Sequence, residues 1–384
     1  MMRTLALLLI GVAVLAGMTG KAAGSNLQPG TSANGDDIVI GQSADLSGQH
    51  AHVTRPFLAG AHAYFAQVNN NGGIHGRRIR LITMDDGNNP LLAIQNTQQL
   101  LQADKALALF GYVGWKTSSV VQSVVNESGA PFFAPVTGNS IVYKAFNRHV
   151  FTIRASYTDE YMYLFSRFPG MGLKRVAMFT EEDGATRKTA IQAMIRASPG
   201  DIELVAAEEG AGQDMKDIAG NLIQSRPDIV LIMSISQAFN TALIKAMRAK
   251  GYHGYFYSSS LVYSSLLNSP QEIVPGLIVS QVMPFPWKAQ SPIVREYQQA
   301  MRKLHVDTFS YLGLEGFIAA KVLTEGIKRA GRAPTREKLI AALESINEHN
   351  YKNPGYRINF SDSNHHGSTY VDLTTITRTG AFIH

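Results

Sequence analysis

The chain has 384 residues, of which 45% are hydrophobic and 17% charged, and it contains no cysteine. This length holds two ordinary domains, the composition excludes a disordered chain, and the missing thiols exclude a disulfide framework, a thiolate nucleophile and a thiolate-bound metal. The formal net charge of +6 is spread over isolated pairs such as Arg77-Arg78, Lys174-Arg175 and Lys328-Arg329. A nucleic-acid binder more often gathers its charge in a basic stripe with interleaved aromatics, so no nucleic-acid partner is expected.

Residues 1–24 read as a secretory signal peptide. One positive charge precedes a short apolar block from Leu5 to Gly17, and small residues follow, with cleavage expected near Ala23 or Gly24. The block is too short for a comfortable membrane span, and no lipid-attachment cysteine follows it. Residues 25–36 are a polar, glycine-containing leader.

From Asp37 the chain alternates. Asp37 to Gly48 is a strand and a polar turn, and Phe57 to Val68 carries apolar residues at helical spacing, stopped by Gly72-Gly73. Arg78 to Met84 is a strand followed by the loop Asp85 to Pro90, and Leu91 to Leu101 is a helix. Leu107 to Phe110 is a buried strand that breaks at Gly111 and Gly114 and enters a helix expected to run to about Glu127. Ala130 to Ser140 is a short strand and another glycine-containing turn. Strictly alternating elements imply a parallel sheet with helices on both faces, whose functional loops lie beyond the C-terminal ends of the strands. Three such ends carry glycine with a hydroxyl in or beside them: Asp45-Leu-Ser-Gly48, Tyr112-Val-Gly-Trp115 and Val136-Thr-Gly-Asn139. The second suits a small ligand with an anionic end and an apolar body, because unpaired backbone N–H groups, hydroxyls and two large rings share one turn.

The pattern restarts at the strand His149–Arg154. Strands follow at Arg175–Thr180, Ile202–Ala207, Pro227–Met233, Tyr255–Tyr257 and Leu277–Val282, with helices between them and polar turns after them. Three consecutive helices come next: Ser291–Leu304, Tyr311–Ile327 and Arg336–Ser345. They do not extend the second sheet and fit better against the first. Tyr356–Phe360 and Tyr370–Ile376 read as late strands joined by a His/Gly/Ser turn. A chain that visits each domain twice crosses between them several times, and such a hinge lets two lobes close on a ligand.

An ordered set of segments resembles the type I periplasmic solute-binding proteins of ABC transporters, in the branched-chain amino-acid-binding (Leu/Ile/Val-binding) group. The carriers are Ile38 to Gly48, Val68 to Ile79, Asp85-Asp86 with Pro90, Phe110 to Gly114, Pro131 to Gly138, Arg154 to Tyr157, Val294 to Tyr297 and Leu314 to Phe317. The resemblance implies an α/β chain of two doubly wound parallel-sheet lobes joined by a three-crossover hinge: lobe 1 from 37–154 and 283–357, lobe 2 from 155–282 and 358–384. It also implies a periplasmic monomer that needs no cofactor, takes an amino acid or related small solute, and delivers it to an ABC permease.

Carried over position by position, the resemblance places ligand-binding groups at Ser47, Tyr112, Gly114, Trp115, Thr117, Val136, Thr137 and Gly138 in lobe 1. In lobe 2 it places them at Asp183, Ser236 and Ser259. Two positions depart from the group's habit of an aromatic near the first and an acid near the second: Asp183 is an acid and Ser259 a small hydroxyl. Asp183 then either pairs with a ligand ammonium or stands exposed at a helix N-terminus, where the dipole favours it. Trp115 either stacks on the ligand or packs as buried body.

Three rival classes are weaker. Neither Ser43 nor Ser47 lies in a Gly-x-Ser-x-Gly elbow, which argues against an exported hydrolase. His50, His52, His62, His365 and His366 match no metal-ligand spacing. A ligand-sensing subunit that reports to a membrane receptor uses the same two-lobed module.

Overall fold

The computed structural model describes residues 37–210, 212–234, 236–261, 276–351, 355–376 and 382–383. The expected signal peptide and leader (1–36) lie outside the described residues, as do parts of the last segment assigned to lobe 2.

Two sheets organise the chain. The first runs β2-β1-β3-β4-β5, with β1 Ile38–Ala44, β2 Ile79–Asp85, β3 Ala108–Phe110, β4 Phe132–Phe133 and β5 Val150–Phe151. All its pairings are parallel. The second runs β12-β11-β10-β9-β8-β6-β7, with β6 Arg175–Thr180, β7 Glu203–Glu209, β8 Ile229–Ile232, β9 Tyr255–Ser258, β10 Leu277–Gln281, β11 Asp372–Ile376 and β12 Phe382–Ile383. Pairings from β7 to β10 are parallel, and β11 and β12 add antiparallel. Burial on both faces explains why the central strands read as continuous apolar runs: Ile229 to Ile232 are all fully buried.

Helices cover both sheets. The helices Pro292–Lys303, Tyr311–Arg329 and Arg336–Glu344 share one apolar core with β1, β3 and the helix α1 (Ala51–Asn70). α1 crosses Tyr311–Arg329 at glycines. A Cβ on Gly60 would lie 1.8 Å from the Gly313 carbonyl oxygen, and one on Gly316 would lie 1.9 Å from the Phe57 carbonyl oxygen. Neither backbone can retreat without opening the core around Phe57 and Phe317, both fully buried. Gly316→Ala is therefore expected to destabilise the protein by about 3 kcal/mol, the upper end of ordinary overpacking. Thermal melts followed by circular dichroism would show this, and an unchanged melting temperature would contradict the contact.

Several local expectations need correction. The helix entered at Trp115 does not run unbroken to residue 127; it stops at Val120 and a second begins at Gln122, ending at Ser128. The strand expected over 149–154 is only Val150–Phe151, because beyond it the backbone pairs with the loop at His365 to Gly367, Thr152 N–H donating to His365 O (2.9 Å). No strand forms at 356–360, and no hairpin joins it to β11. That segment distributes its hydrogen bonds irregularly, with Asn359 N–H donating to Gly367 O (2.9 Å) and Phe360 N–H to Ile346 O (2.8 Å). β11 pairs instead with β10 and β12.

The chain passes between the sheets three times: between β5 and the helix α5 (Tyr157–Met171), after β10, and between residues 368 and 372. The first crossing is stopped sharply by a reciprocal cap. Ser156 Oγ accepts from Asp159 N–H (3.1 Å), and the Asp159 carboxylate accepts from Ser156 N–H (2.8 Å). Tyr356 ties the first two crossings together, its hydroxyl donating to Ile153 O (2.6 Å) and Val282 O (3.1 Å).

Candidate ligand-binding cleft

The polar turns at the C-terminal ends of both sheets face one another. Lys116, one residue into the helix after β3, pairs at 3.4 Å with Glu182 in the turn after β6, which places the two sets of strand ends against each other. Both partners are about half exposed, so this pair marks proximity more than it supplies stability.

On the first lobe the turn after β1 is built by Asp45. Its buried carboxylate accepts from the backbone N–H groups of Gly48 and His50 and so folds the chain into the start of α1. Ser47 stands exposed at the tip of this turn. The turn after β2 is built the same way by Asp86, which accepts from Ser43 Oγ (2.8 Å) and Asn88 N–H (2.9 Å). Burial, helped by the charges of Asp45 and Asp85, pushes the Asp86 carboxyl up to about 6, against the pull of those hydrogen bonds.

After β3, Gly114 takes a left-handed φ of 95° and caps the helix Trp115–Val120. Trp115 is 39% exposed, with Lys116 Nζ 5.6 Å from its ring centre. Thr117 is fully buried, and its hydroxyl is spent on Val113 O at 2.9 Å, so it braces the turn instead of facing a ligand. Tyr112 is also a correction. Its ring lies edge-on to Phe132 in the core beneath the helix Pro90–Gln102, and its hydroxyl meets Thr97 Oγ1 at 2.8 Å, away from the cleft. The turn after β4 lies beside that of β3, with Gly114 N–H donating to Val136 O (3.3 Å). Val136 and Thr137 are buried, and Thr137 Oγ1 accepts from Asn139 N–H at 3.2 Å. Gly138 sits under Tyr157: its carbonyl accepts from Tyr157 N–H at 2.8 Å, and a Cβ there would come within 2.6 Å of the Tyr157 ring.

On the second lobe Asp183 is exposed with a left-handed φ of 63°; it precedes the helix Gly184–Ala197 without capping it by its side chain. Ser236 caps the helix Gln237–Ala249, accepting from Phe239 N–H at 3.4 Å. Its own N–H donates to Ser234 Oγ (3.0 Å), which in turn donates to the Glu181 carboxylate (2.9 Å). Ser259 is buried just after β9.

Behind the cleft a buried ionic network joins the lobes. Arg154, on the first crossing, lies 3.4 Å from the Glu315 carboxylate on the helix Tyr311–Arg329 and 3.8 Å from the Glu160 carboxylate on α5. It also donates to Ser260 Oγ at 2.6 Å. Glu160 accepts in addition from Ser260 N–H (2.8 Å), Ser260 Oγ (2.9 Å) and Ser280 Oγ, and Ser280 Oγ accepts from Tyr257 (2.8 Å). All three charged side chains are essentially buried. One cation serves two carboxylates, so burial raises both carboxyls although Arg154 pulls each down. Sequence reasoning missed Glu160 and Glu315. The available signal was an acid inside an otherwise apolar helical stretch, Leu312 to Ala320, and the arginine that ends the first lobe. It also missed His50, Asn88, Tyr157 and Glu181, which only the folded turns bring to the cleft.

Residues 37–381 match the family model for a periplasmic binding protein. Over 103 residues the chain is 29% identical to an amino acid binding protein of Pseudomonas aeruginosa, a match that covers 27% of this chain and 28% of that relative's length. A substrate-binding periplasmic protein from Ralstonia solanacearum superposes with a TM-score of 0.76 at 28% identity, over 90% of this chain and 99% of the other. A possible leucine/isoleucine/valine-binding protein from Rhodopirellula baltica does so with a TM-score of 0.79 at 23% identity, over 92% and 98%. Matched along nearly its whole described length, and built of two lobes whose strand ends meet across a cleft, the chain belongs to the periplasmic binding protein family.

Proposed function

We propose that the chain is the solute-binding component of an ABC transporter. It captures an amino acid or a related small carboxylate or amide between its lobes by hinge closure and presents it to an inner-membrane permease. The observation that carries this is the opposition of polar strand-end turns from two sheets, spanned by Lys116 and Glu182, on a chain that crosses between the lobes three times. Such clefts bind through a few convergent hydrogen bonds in a desolvated space, and crossings of this kind act as hinges. In this reading lobe 1 comprises 37–154 and 283–357 and lobe 2 the remainder. Residues 358–368 are better grouped with lobe 1, since Ile358 and Phe360 share its core and His365 stacks on Phe151 at 3.8 Å. The protein works as a periplasmic monomer once its signal peptide is removed. The site residues it uses are Ser47, Gly114, Trp115, Val136, Thr137 and Gly138 on one side and Asp183, Ser236 and Ser259 on the other.

A thermal-shift screen tests this on the mature chain after unfolding and refolding to strip bound solute. Amino acids, small carboxylates, amides and aromatic acids form the panel. A solute present at about 100 times its dissociation constant stabilises by about 2.7 kcal/mol, a shift of several degrees. Trp115→Ala is expected to weaken the bound solute by about tenfold or more while leaving the ligand-free melt unchanged. A folded protein that no solute in the panel shifts would contradict the reading.

A further inference from the structure

The turn after β3 leaves a hollow that no hydrogen bond within the protein fills. A side chain at Gly114 would start 3.4 Å from His50 Nδ1 and 3.6 Å from Asn88 Oδ1, so these two atoms border the space that the glycine leaves open. His50 is only 8% exposed, and neither of its ring nitrogens has a hydrogen-bond partner. Asn88 Oδ1 is buried and unpartnered as well. Buried polar atoms are nearly always paired, so two orphans facing one hollow, from the turns after β1 and β2, are an unusual arrangement.

We propose that this hollow is a subsite for a primary ammonium group carried by the solute, which donates to His50 Nδ1 and to Asn88 Oδ1. The inference rests on the cleft being the solute site. Asn88 Oδ1 can only accept, and a neutral imidazole offers a lone pair on one nitrogen, so the hollow asks for a donor with at least two N–H bonds. Burial keeps His50 in that neutral form by lowering its proton affinity; His52 and Lys116 act in the same direction and Asp45 opposes them. The sign of the surroundings favours a cation: the carboxylates of Asp45 and Asp86 are fully buried in the two turns that carry His50 and Asn88. Lys116, the opposing charge that acts on His50, has a carboxylate of its own in Glu182 at 3.4 Å. A ligand carboxylate here would set oxygen against the Asn88 oxygen beside two acids. The ammonium is therefore read by lobe 1 and not by Asp183, which lies exposed on the far side.

The test uses calorimetric titration of the refolded mature chain with matched pairs that differ only in the amine: alanine against propionate, leucine against isocaproate, phenylalanine against hydrocinnamate. The amine-bearing members should bind at least about tenfold tighter. His50→Phe keeps a ring of similar size and removes both orphan nitrogens. It should erase that preference while the ligand-free melting temperature holds or rises, which a merely structural histidine would not do. Equal binding of amine-bearing and amine-free members, or a preference retained in His50→Phe, would overturn the subsite and leave the cleft reading standing. If no member of any pair binds, the subsite falls, and the cleft reading is decided separately by the wider thermal-shift panel.

Discussion

Replacing Arg154 with methionine is expected to cost about 3–5 kcal/mol of stability, the range for breaking a buried pair by removing one partner. Methionine matches the arginine stem in length and is apolar throughout, so packing along the stem changes little. What changes is charge: Glu160 and Glu315 would be left buried with no cation. Glu160 would keep its hydrogen bonds from Ser260 and Ser280, whereas among the described residues Glu315 has no partner besides Arg154. Both carboxyls already sit above their usual range, and losing Arg154 raises them further. The penalty should therefore be largest at neutral pH and shrink as pH falls and the carboxyls take up protons. Adding Glu160→Gln and Glu315→Gln to Arg154→Met should recover most of the loss, because no charge then remains buried. Urea unfolding of the four proteins (wild type, the single variant, the two glutamines alone, the triple) checks this. A single variant as stable as the wild type would mean that the network does not bear on folding. Because Arg154 lies on a crossing and its partners come from both sides of it, the same variants should also change how readily the lobes separate.

The second large effect is a pH dependence at Asp86. Its carboxyl is pushed up to about 6, chiefly by burial. The folded state thus holds that proton more tightly than the unfolded chain does. The resulting stability is fully present below the ordinary carboxyl range and is lost as pH rises through about 6. A shift of about two units corresponds to about 3 kcal/mol. Asp86→Asn has no proton to lose, and it can still accept from Asn88 N–H. Its stability relative to the wild type should improve by about 2 kcal/mol between mildly acidic and alkaline buffer, at about pH 4.5 and about pH 8, since at the lower pH the unfolded carboxyl is already mostly ionised. Urea midpoints at the two pH values read the difference directly, and a gap that does not change with pH would contradict the assignment.

These two sites differ in how far the sequence exposed them. The alternation of strands and helices was legible because each buried strand is a short apolar run closed by a polar turn; Ile229–Ile232 and Ala108–Phe110 are plain examples. The glycine turns after β1, β3 and β4 were legible for the same reason, and the structure brings them together at the C-terminal end of the first sheet. Side-chain direction was not. Tyr112 follows Gly111, and the left-handed φ of 62° at that glycine decides which way the next ring points; it points into the core. Thr117 looked like a ligand hydroxyl, yet a threonine early in a helix can return its hydroxyl to the preceding turn, as it does here. Tyr356–Phe360 has strand-like alternation and lies in the first lobe's core, but its backbone hydrogen bonds go to loop residues, Asn359 to Gly367 and Phe360 to Ile346. The Arg154 network joins residues up to 161 positions apart, a distance over which no local pattern reports.

The measurement that tests the account most directly is the distance between the lobes with and without solute. The chain has no cysteine, so two introduced thiols carry spin labels without background. Leu91→Cys and Lys188→Cys are suitable positions, both exposed and each on a helix that follows a strand end at the cleft, one per lobe. Pulsed electron resonance should show the label separation shorten and its distribution narrow when a solute from the thermal-shift screen is added at saturation. A distribution that does not change while calorimetry shows the same solute bound would contradict capture by closure of the two lobes.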